Sequence, residues 1–206
     1  MLHKTMKKNK IILISRMQKK LLYYIQEQPM KRLLSVLILL GAAAVLFGQT
    51  KNKANSKPLT FSSVDLEGNK ISSDLYSDNK ITMINIWGTF CGPCIREMPD
   101  LAKLSEENKS KGIEIIGIPI DIVDDWGKVD PRLKSDALMI IQKTGVKYRN
   151  IVPTIDMFQT MLRGIQAVPT TIFVDKNGNQ IGNAFLGSRS QKDWQKIIDK
   201  LLESQK

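Results

Sequence analysis

The chain has 206 residues and a formal charge of +11, a balance that taken whole points to nucleic acid or a membrane surface. Its placement excludes the first: twelve of the 31 Lys+Arg and one of the 20 acids precede Pro58, so everything from Pro58 onward is neutral and offers nucleic acid no electrostatic footprint. That neutral part, roughly 150 residues, reads as one domain long enough to bury its own core.

Residues 1–29 read as a basic tail with apolar patches at Ile11–Ile14 and Leu21–Ile25. Leu33–Thr50 is a run of eighteen residues without a charge; as a helix it spans about 27 Å, close to the ~30 Å of a bilayer core. Lys31 and Arg32 precede it, so the positive-inside rule keeps the N-terminus cytoplasmic and exports the chain beyond Thr50. Read from Met30, the same stretch has the basic and apolar regions of a secretory signal, with Ala42 and Ala44 as an A-x-A-like site. Residues 30–50 are therefore expected to be a signal peptide or a signal anchor. If Met30 is the biological start, residues 1–29 lie upstream of it; if Met1 is, they lie along the inner leaflet. Residues 51–57 (KNKANSK) read as a polar linker and 58–206 as the exported domain.

Within that domain, Pro58–Leu75 holds two short β-like runs around Glu67-Gly68-Asn69, a hairpin. Ile81–Trp87 (ITMINIW) and residues 113–120 (IEIIGIPI) are apolar, β-branched runs suited to strands buried on both faces. Between them, apolar residues at 95, 98, 101, 102 and 104, with Gly112 as a stop, predict a helix that Pro99 should kink. Asp130-Pro131 opens a second helix running to Lys143, with Gly145 beyond. Asp156–Gly164 is a shorter helical candidate. Thr170–Gly187 reads as a strand, an Asn177-Gly178 turn and a second strand. Ser190 then caps a closing helix with Trp194, Ile197, Ile198, Leu201 and Leu202 as its apolar stripe. The order predicts an α/β fold: a mixed sheet flanked by helices, with an N-terminal β-hairpin and a central insertion.

The only two cysteines, Cys91 and Cys94, lie where the first buried strand turns into its helix, in WGTFCGPC. A disulfide between them would close a four-residue loop worth only about 2 kcal/mol of chain entropy, so as a staple it is weak. Zinc needs about four ligands, and the sole histidine, His3, precedes the apolar run; no metal site is expected. At a helix N-terminus, unpaired N–H groups and the macrodipole favour an anion, which makes Cys91 the stabilised thiolate and Cys94, one turn further in, the more buried resolving thiol. Trp87 and Phe90 are packing residues or, beside a reactive sulfur, line the contact face and exclude water. The acids Asp121, Asp124 and Asp125, with Trp126, read as loop surface. From spacing alone, Glu97 is as well a solvated helix carboxylate as a functional one.

WGTFCGPC after a buried strand, REMP in the following helix and VPTTIFVDKNG further on resemble the membrane-anchored thiol-disulfide oxidoreductases of the thioredoxin superfamily, the TlpA and ResA type. The resemblance covers Pro58–Lys206. It implies a thioredoxin-like fold, with Cys91 as the attacking and Cys94 as the resolving cysteine, their redox-active disulfide taking the place of any cofactor. It makes Pro169, in Val168-Pro169-Thr170, the cis proline facing that disulfide and leaves the Val168 backbone free to pair with a substrate chain. Val152-Pro153-Thr154 has the same letters without the following strand and Asn-Gly turn, and is expected to be trans. Where thioredoxin has a buried aspartate this chain has Asn85, and Glu97 matches the ResA-type glutamate, a proton carrier. Gly92 and Pro93 tune redox poise and border the substrate; a Gly-Pro pair is closer to reducing thioredoxin, at about −270 mV, than to the oxidant DsbA, at about −120 mV. The implied partners are exported protein thiols and disulfides, including apocytochrome c, a membrane electron donor, and the membrane itself through residues 33–50, so that the chain works outside the cytoplasm, in a periplasm or on the outer membrane face. Two other readings stand beside this one. A peroxiredoxin-like peroxidase normally has a Pro and a Thr at fixed offsets before its cysteine, where this chain has Ile84 and Gly88. An anchored binding module would keep the pair as a vestige.

Overall fold

The computed structural model describes residues 57–205; the expected tail and the apolar run of residues 33–50 lie outside these. Among the described residues no helix is long and apolar enough to cross a membrane. The hairpin comes first: β1 (Ser62–Val64) pairs antiparallel with β2 (Lys70–Ser72). Asp65 organises its turn, its carboxylate accepting from the backbone N–H groups of Glu67 and Asn69, and Gly68 supplies the positive φ of 94° that the turn demands. A 3-10 segment, Ser73–Asp78, leads into the main sheet.

That sheet has the order β4-β3-β5-β6. β3 (Ile81–Trp87) lies in the middle, parallel to β4 (Ile113–Pro119) and antiparallel to β5 (Thr170–Asp175), which in turn carries the two-residue edge strand β6 (Phe185–Leu186). All seven residues of β3 are buried, as its unbroken apolar run requires. Beyond β4, single bridges from Asn150 to Gly117 and from Ile151 to Asp65 stitch the hairpin to the sheet.

Two apolar layers sandwich the sheet. One face packs Met83, Trp87 and Phe173 against α1 (Gly92–Asn108), α2 (Pro131–Thr144) and α4 (Gln191–Ser204), through Cys94, Met98, Leu101, Ala137, Trp194 and Ile198. The other packs Ile84, Ile86, Ile116, Ile118 and Ile172 against Phe61, Tyr76 and Met157 of the short helix α3 (Ile155–Gln159). Period-two alternation along β3 therefore assigns its odd-numbered residues to the layer that contains both cysteines.

Local chemistry sets the helix limits. Asp130 caps α2 through the N–H groups of Arg132 and Leu133, and Gly145 ends it at φ 74°. Ser190 caps α4 through the Asp193 N–H. α1 runs on through Pro99, whose missing N–H costs the helix one bond without ending it. Two expectations change. α3 stops at Gln159 instead of Gly164, and the strand after the Asn177-Gly178 turn is broken: Gln180 bridges Val174, the chain then leaves the sheet around Gly182 (φ 69°), and pairing resumes only at Phe185.

Candidate active site

β3 ends at Trp87, and the chain turns through Gly88, Thr89 and Phe90 into α1. Cys91 is the N-cap residue of that helix: its Sγ accepts the backbone N–H of Cys94 at 3.2 Å. The two sulfurs are joined in a disulfide. Both cysteines are buried, Cys94 (1% exposed) more deeply than Cys91 (5%). On reduction, the Cys91 sulfur would keep the Cys94 N–H and the positive end of a 17-residue helix, the surroundings that lower a thiol's pKa. Gly92 and Pro93 form the first turn. Pro93 is exposed; at Gly92 a Cβ would come within 3.3 Å of the Arg96 guanidinium.

Pro169, in the only cis peptide bond among the described residues, comes from the loop before β5. The Val168 carbonyl oxygen lies 3.6 Å from Cys91 Sγ, a contact and not a hydrogen bond, since a disulfide sulfur has no proton to give. Val152-Pro153 is trans and belongs elsewhere: Val152 N–H donates to Val64, and Thr154 caps α3.

Of the two roles open to Trp87 the structure shows packing, and its placing among the substrate-binding residues is corrected. Its ring is fully buried, and its indole N–H donates to Asn150 Oδ1 at 2.9 Å, so it forms the floor beneath the cysteines and offers no face to a substrate. Phe90 is 72% exposed and is the aromatic that borders Cys91 from solvent. Gly88 makes room for it, because a Cβ there would sit 2.7 Å from the Phe90 ring.

Glu97, one turn beyond Cys94, is 4% exposed and not a solvated helix carboxylate. Its Oε1 accepts from Asn85 Nδ2 at 3.1 Å and its Oε2 from the Arg189 backbone N–H at 3.0 Å. The Trp194 indole N–H faces the same carboxylate without reaching regular hydrogen-bond geometry. Burial pushes the Glu97 carboxyl above the usual range, against the pull of those N–H donors and of the Arg189 charge. The Arg189 guanidinium is itself fixed, 5.1 Å from the ring centres of both Phe185 and Trp194 and bonded to the Leu186 and Gly187 carbonyls. Burial, and secondarily the Glu97 charge, push the Tyr148 phenol well up, so it stays neutral.

Residues with no sequence signature complete the site. Both carboxylate oxygens of Asp121 accept the Thr89 N–H, and the Thr89 hydroxyl adds a short bond to Oδ2, clamping the turn before Cys91. In sequence Asp121 is one more loop acid; its position two residues beyond a buried strand is the available cue. Thr171, opposite Asn85 across the β3–β5 ladder, accepts from Asn85 Nδ2 at 3.2 Å. Arg189 acts on Glu97 by its backbone, which no side-chain pattern reveals.

A disulfide capping a helix, faced by a loop proline and backed by a buried carboxyl, is an arrangement for thiol-disulfide exchange. The model of one family, Redoxin, matches residues 52–202. The chain belongs to the Redoxin family. It is similar, at 28% identity over 179 residues covering 82% of this chain and 94% of the relative, to the thiol-disulfide oxidoreductase ResA of Bacillus thuringiensis. ResA of Halalkalibacterium halodurans is 30% identical over 130 residues, 61% of this chain and 65% of its own. The crystal structure of a thiol:disulfide interchange protein of the thioredoxin family from Chlorobium tepidum matches the fold with a TM-score of 0.57, at 24% identity, over 72% of this chain and 99% of that one. This Redoxin protein is thus a thiol-disulfide oxidoreductase with a thioredoxin-like fold and a Cys91–Cys94 redox pair.

Proposed function

We propose that the protein is a reductase of protein disulfides outside the cytoplasm, held by or exported through residues 33–50. The observation that carries this reading is the pairing of a helix-capping Cys91 sulfur with a buried Glu97 one turn past Cys94. In the dithiol form, the Cys91 thiolate attacks one sulfur of a substrate disulfide; a mixed disulfide forms and the other substrate sulfur leaves as a thiolate. Glu97 takes the proton of the Cys94 thiol. The Cys94 thiolate then attacks Cys91 Sγ, the Cys91–Cys94 bond closes and the second substrate sulfur leaves. Two electrons pass to the substrate; Glu97 gives the proton taken from Cys94 to one leaving thiolate, and water, which holds the proton lost by Cys91, protonates the other. Phe90, Gly92, Pro93 and the Val168-Pro169 backbone border the substrate strand, the Val168 carbonyl being the polar group nearest the sulfur. A membrane electron donor restores the dithiol. No cofactor beyond the disulfide enters this scheme. Exported proteins that must keep a cysteine pair reduced, apocytochrome c among them, are its substrates.

Equilibrating the full chain with glutathione or dithiothreitol measures the direction directly. The expected potential is near the roughly −270 mV of thioredoxin; one near −120 mV makes the protein an oxidant instead. Cys94→Ser is expected to accumulate mixed disulfides through Cys91 on exported proteins, and Cys91→Ser to form none. Peroxide consumption at peroxidase rates would return the peroxidase reading.

A further inference from the structure

Asn85 stands where a proton-exchanging carboxyl would be expected, yet an amide does not titrate near neutral pH. Its surroundings give it another use. The side chain is 1% exposed, Nδ2 donates to both Glu97 Oε1 and Thr171 Oγ1, and Oδ1 has no partner among the described residues. A buried carbonyl oxygen left without a donor is destabilising, so its persistence in the centre of a site wants a reason.

The two donors to Glu97 differ in kind. Arg189 offers a backbone N–H, fixed by the chain, so Oε2 must remain an acceptor whatever the charge on the carboxyl. Asn85 offers one end of an amide that presents a donor or an acceptor on rotation about its terminal torsion. When Glu97 takes up a proton on Oε1, Nδ2 opposes it and Oδ1 suits it. Thr171 adapts without loss, because a hydroxyl that accepts from Nδ2 can equally donate to Oδ1. Oδ1 is then the acceptor for the protonated carboxyl, and Nδ2 moves to the unpartnered place that Oδ1 held, so the amide carries one unpartnered end in either state while Glu97 keeps its bond.

We propose that Asn85 is a positioning residue whose side-chain amide turns over with the protonation of Glu97, Nδ2 facing the carboxylate and Oδ1 facing the carboxylic acid, with the Thr171 hydroxyl reversing in step. This rests on the reading of Glu97 as the proton carrier and gives that carrier a hydrogen-bond partner in both states. Among the described residues, the other charged or titratable groups set against Glu97 are the Arg189 cation in the loop before α4 and the Tyr148 phenol after α2, with the Cys94 thiol one turn back on α1 when reduced. The device is therefore read most simply in the oxidised chain, where the thiols are silent.

The test tracks the Glu97 carboxyl carbon and the Asn85 side-chain NH2 by NMR in the oxidised full chain, across pH. The expected result is one shared midpoint for both groups, with the Asn85 signals becoming pH-independent in Glu97→Gln. Asn85→Leu removes the charge-assisted donor, the stronger of the two bonds, and should move the Glu97 midpoint up by about one pH unit. Asn85→Asp should split it into two coupled steps. Asn85 signals that stay flat while Glu97 titrates overturn the proposal, as does a Glu97 midpoint that ignores Asn85→Leu in a variant whose near-ultraviolet dichroism shows it folded. A shared midpoint together with a Cys94 resolving rate insensitive to pH and to Glu97→Gln supports the amide device and defeats the carrier role alone.

Discussion

β3 carries two buried polar groups two residues apart on the same face, and they have opposite characters. Trp87 donates to Asn150 Oδ1, and Asn150 Nδ2 donates to the Tyr148 carbonyl; every member of that set is neutral and its donors run one way. Asn85 meets Glu97 and Thr171, one able to change charge and the other able to donate or accept. The first set locks the segment at Asn150 against β4 and so fixes the floor under the cysteines. The second can exchange a proton. Burial alone does not mark chemistry, since Trp87 is as deeply buried as Asn85; what distinguishes the two is whether a member can change its protonation without losing a partner.

The largest effect should come from breaking the neutral set at its tightest point. A Cβ at Gly117 would stand 2.0 Å from Asn150 Oδ1 and 3.1 Å from Trp87 Nε1, and Gly117 is also bridged to Asn150 by its backbone. Gly117→Ala is expected to cost roughly 3 to 5 kcal/mol, from displacement of Asn150 together with an unpaired indole N–H. Denaturant melts should show this loss equally at pH 5 and pH 8. A loss confined to one pH would mean that the two sets are coupled. Asn150→Ala leaves the backbone room but removes the acceptor, and about 2 kcal/mol is expected, again without pH dependence.

The contrast between the two sets also separates the parts of this site that are legible in sequence from those that are not. β3 has the residues its unbroken apolar run implies, and α2 has the cap at Asp130 and the stop at Gly145 that its ends imply, because burial on both faces and helix capping are written in neighbouring residues. Cys91 at the head of α1 obeys the same local logic. The broken second strand is not legible: an Asn-Gly turn announces a return strand, but only the left-handed Gly182 lets the chain leave the ladder before Phe185. Glu97 is ambiguous for a related reason. Its spacing on α1 is compatible with solvent, and what buries it is the Arg189 loop and Trp194, which arrive from nearly a hundred residues away. Closeness to Cys91 is a misleading guide to Trp87, since strand alternation turns its ring into the core.

Thr171→Val probes the charged set without removing a charge. It deletes the hydroxyl that partners Asn85 Nδ2 and keeps the volume, so a loss of about 1 kcal/mol is expected, with a change in the pH profile of Cys94 resolution that Asn150→Ala lacks. Equal pH profiles for the two variants would erase the distinction drawn between the sets.

The smallest change in stability should be Glu97→Gln, and its sign depends on pH. Because burial raises the folded carboxyl above its ordinary value near 4.5, the native state binds more protons than the unfolded chain between those two values. Stability contributed by the neutral acid is therefore present at low pH and is lost as pH rises through the folded value, the reverse of a salt-bridged carboxylate. Glutamine is neutral throughout: its carbonyl accepts the Arg189 N–H, and its NH2 faces an Asn85 turned to present Oδ1. The variant should match the parent below about pH 4.5 and melt higher than it at pH 8, while its resolving step slows and loses its pH dependence. A Glu97→Gln Tm that falls below the parent's at pH 8 would mean that the Asn85 and Arg189 donors outweigh burial and favour the carboxylate, which would leave Glu97 too weak a base to draw a proton from the Cys94 thiol.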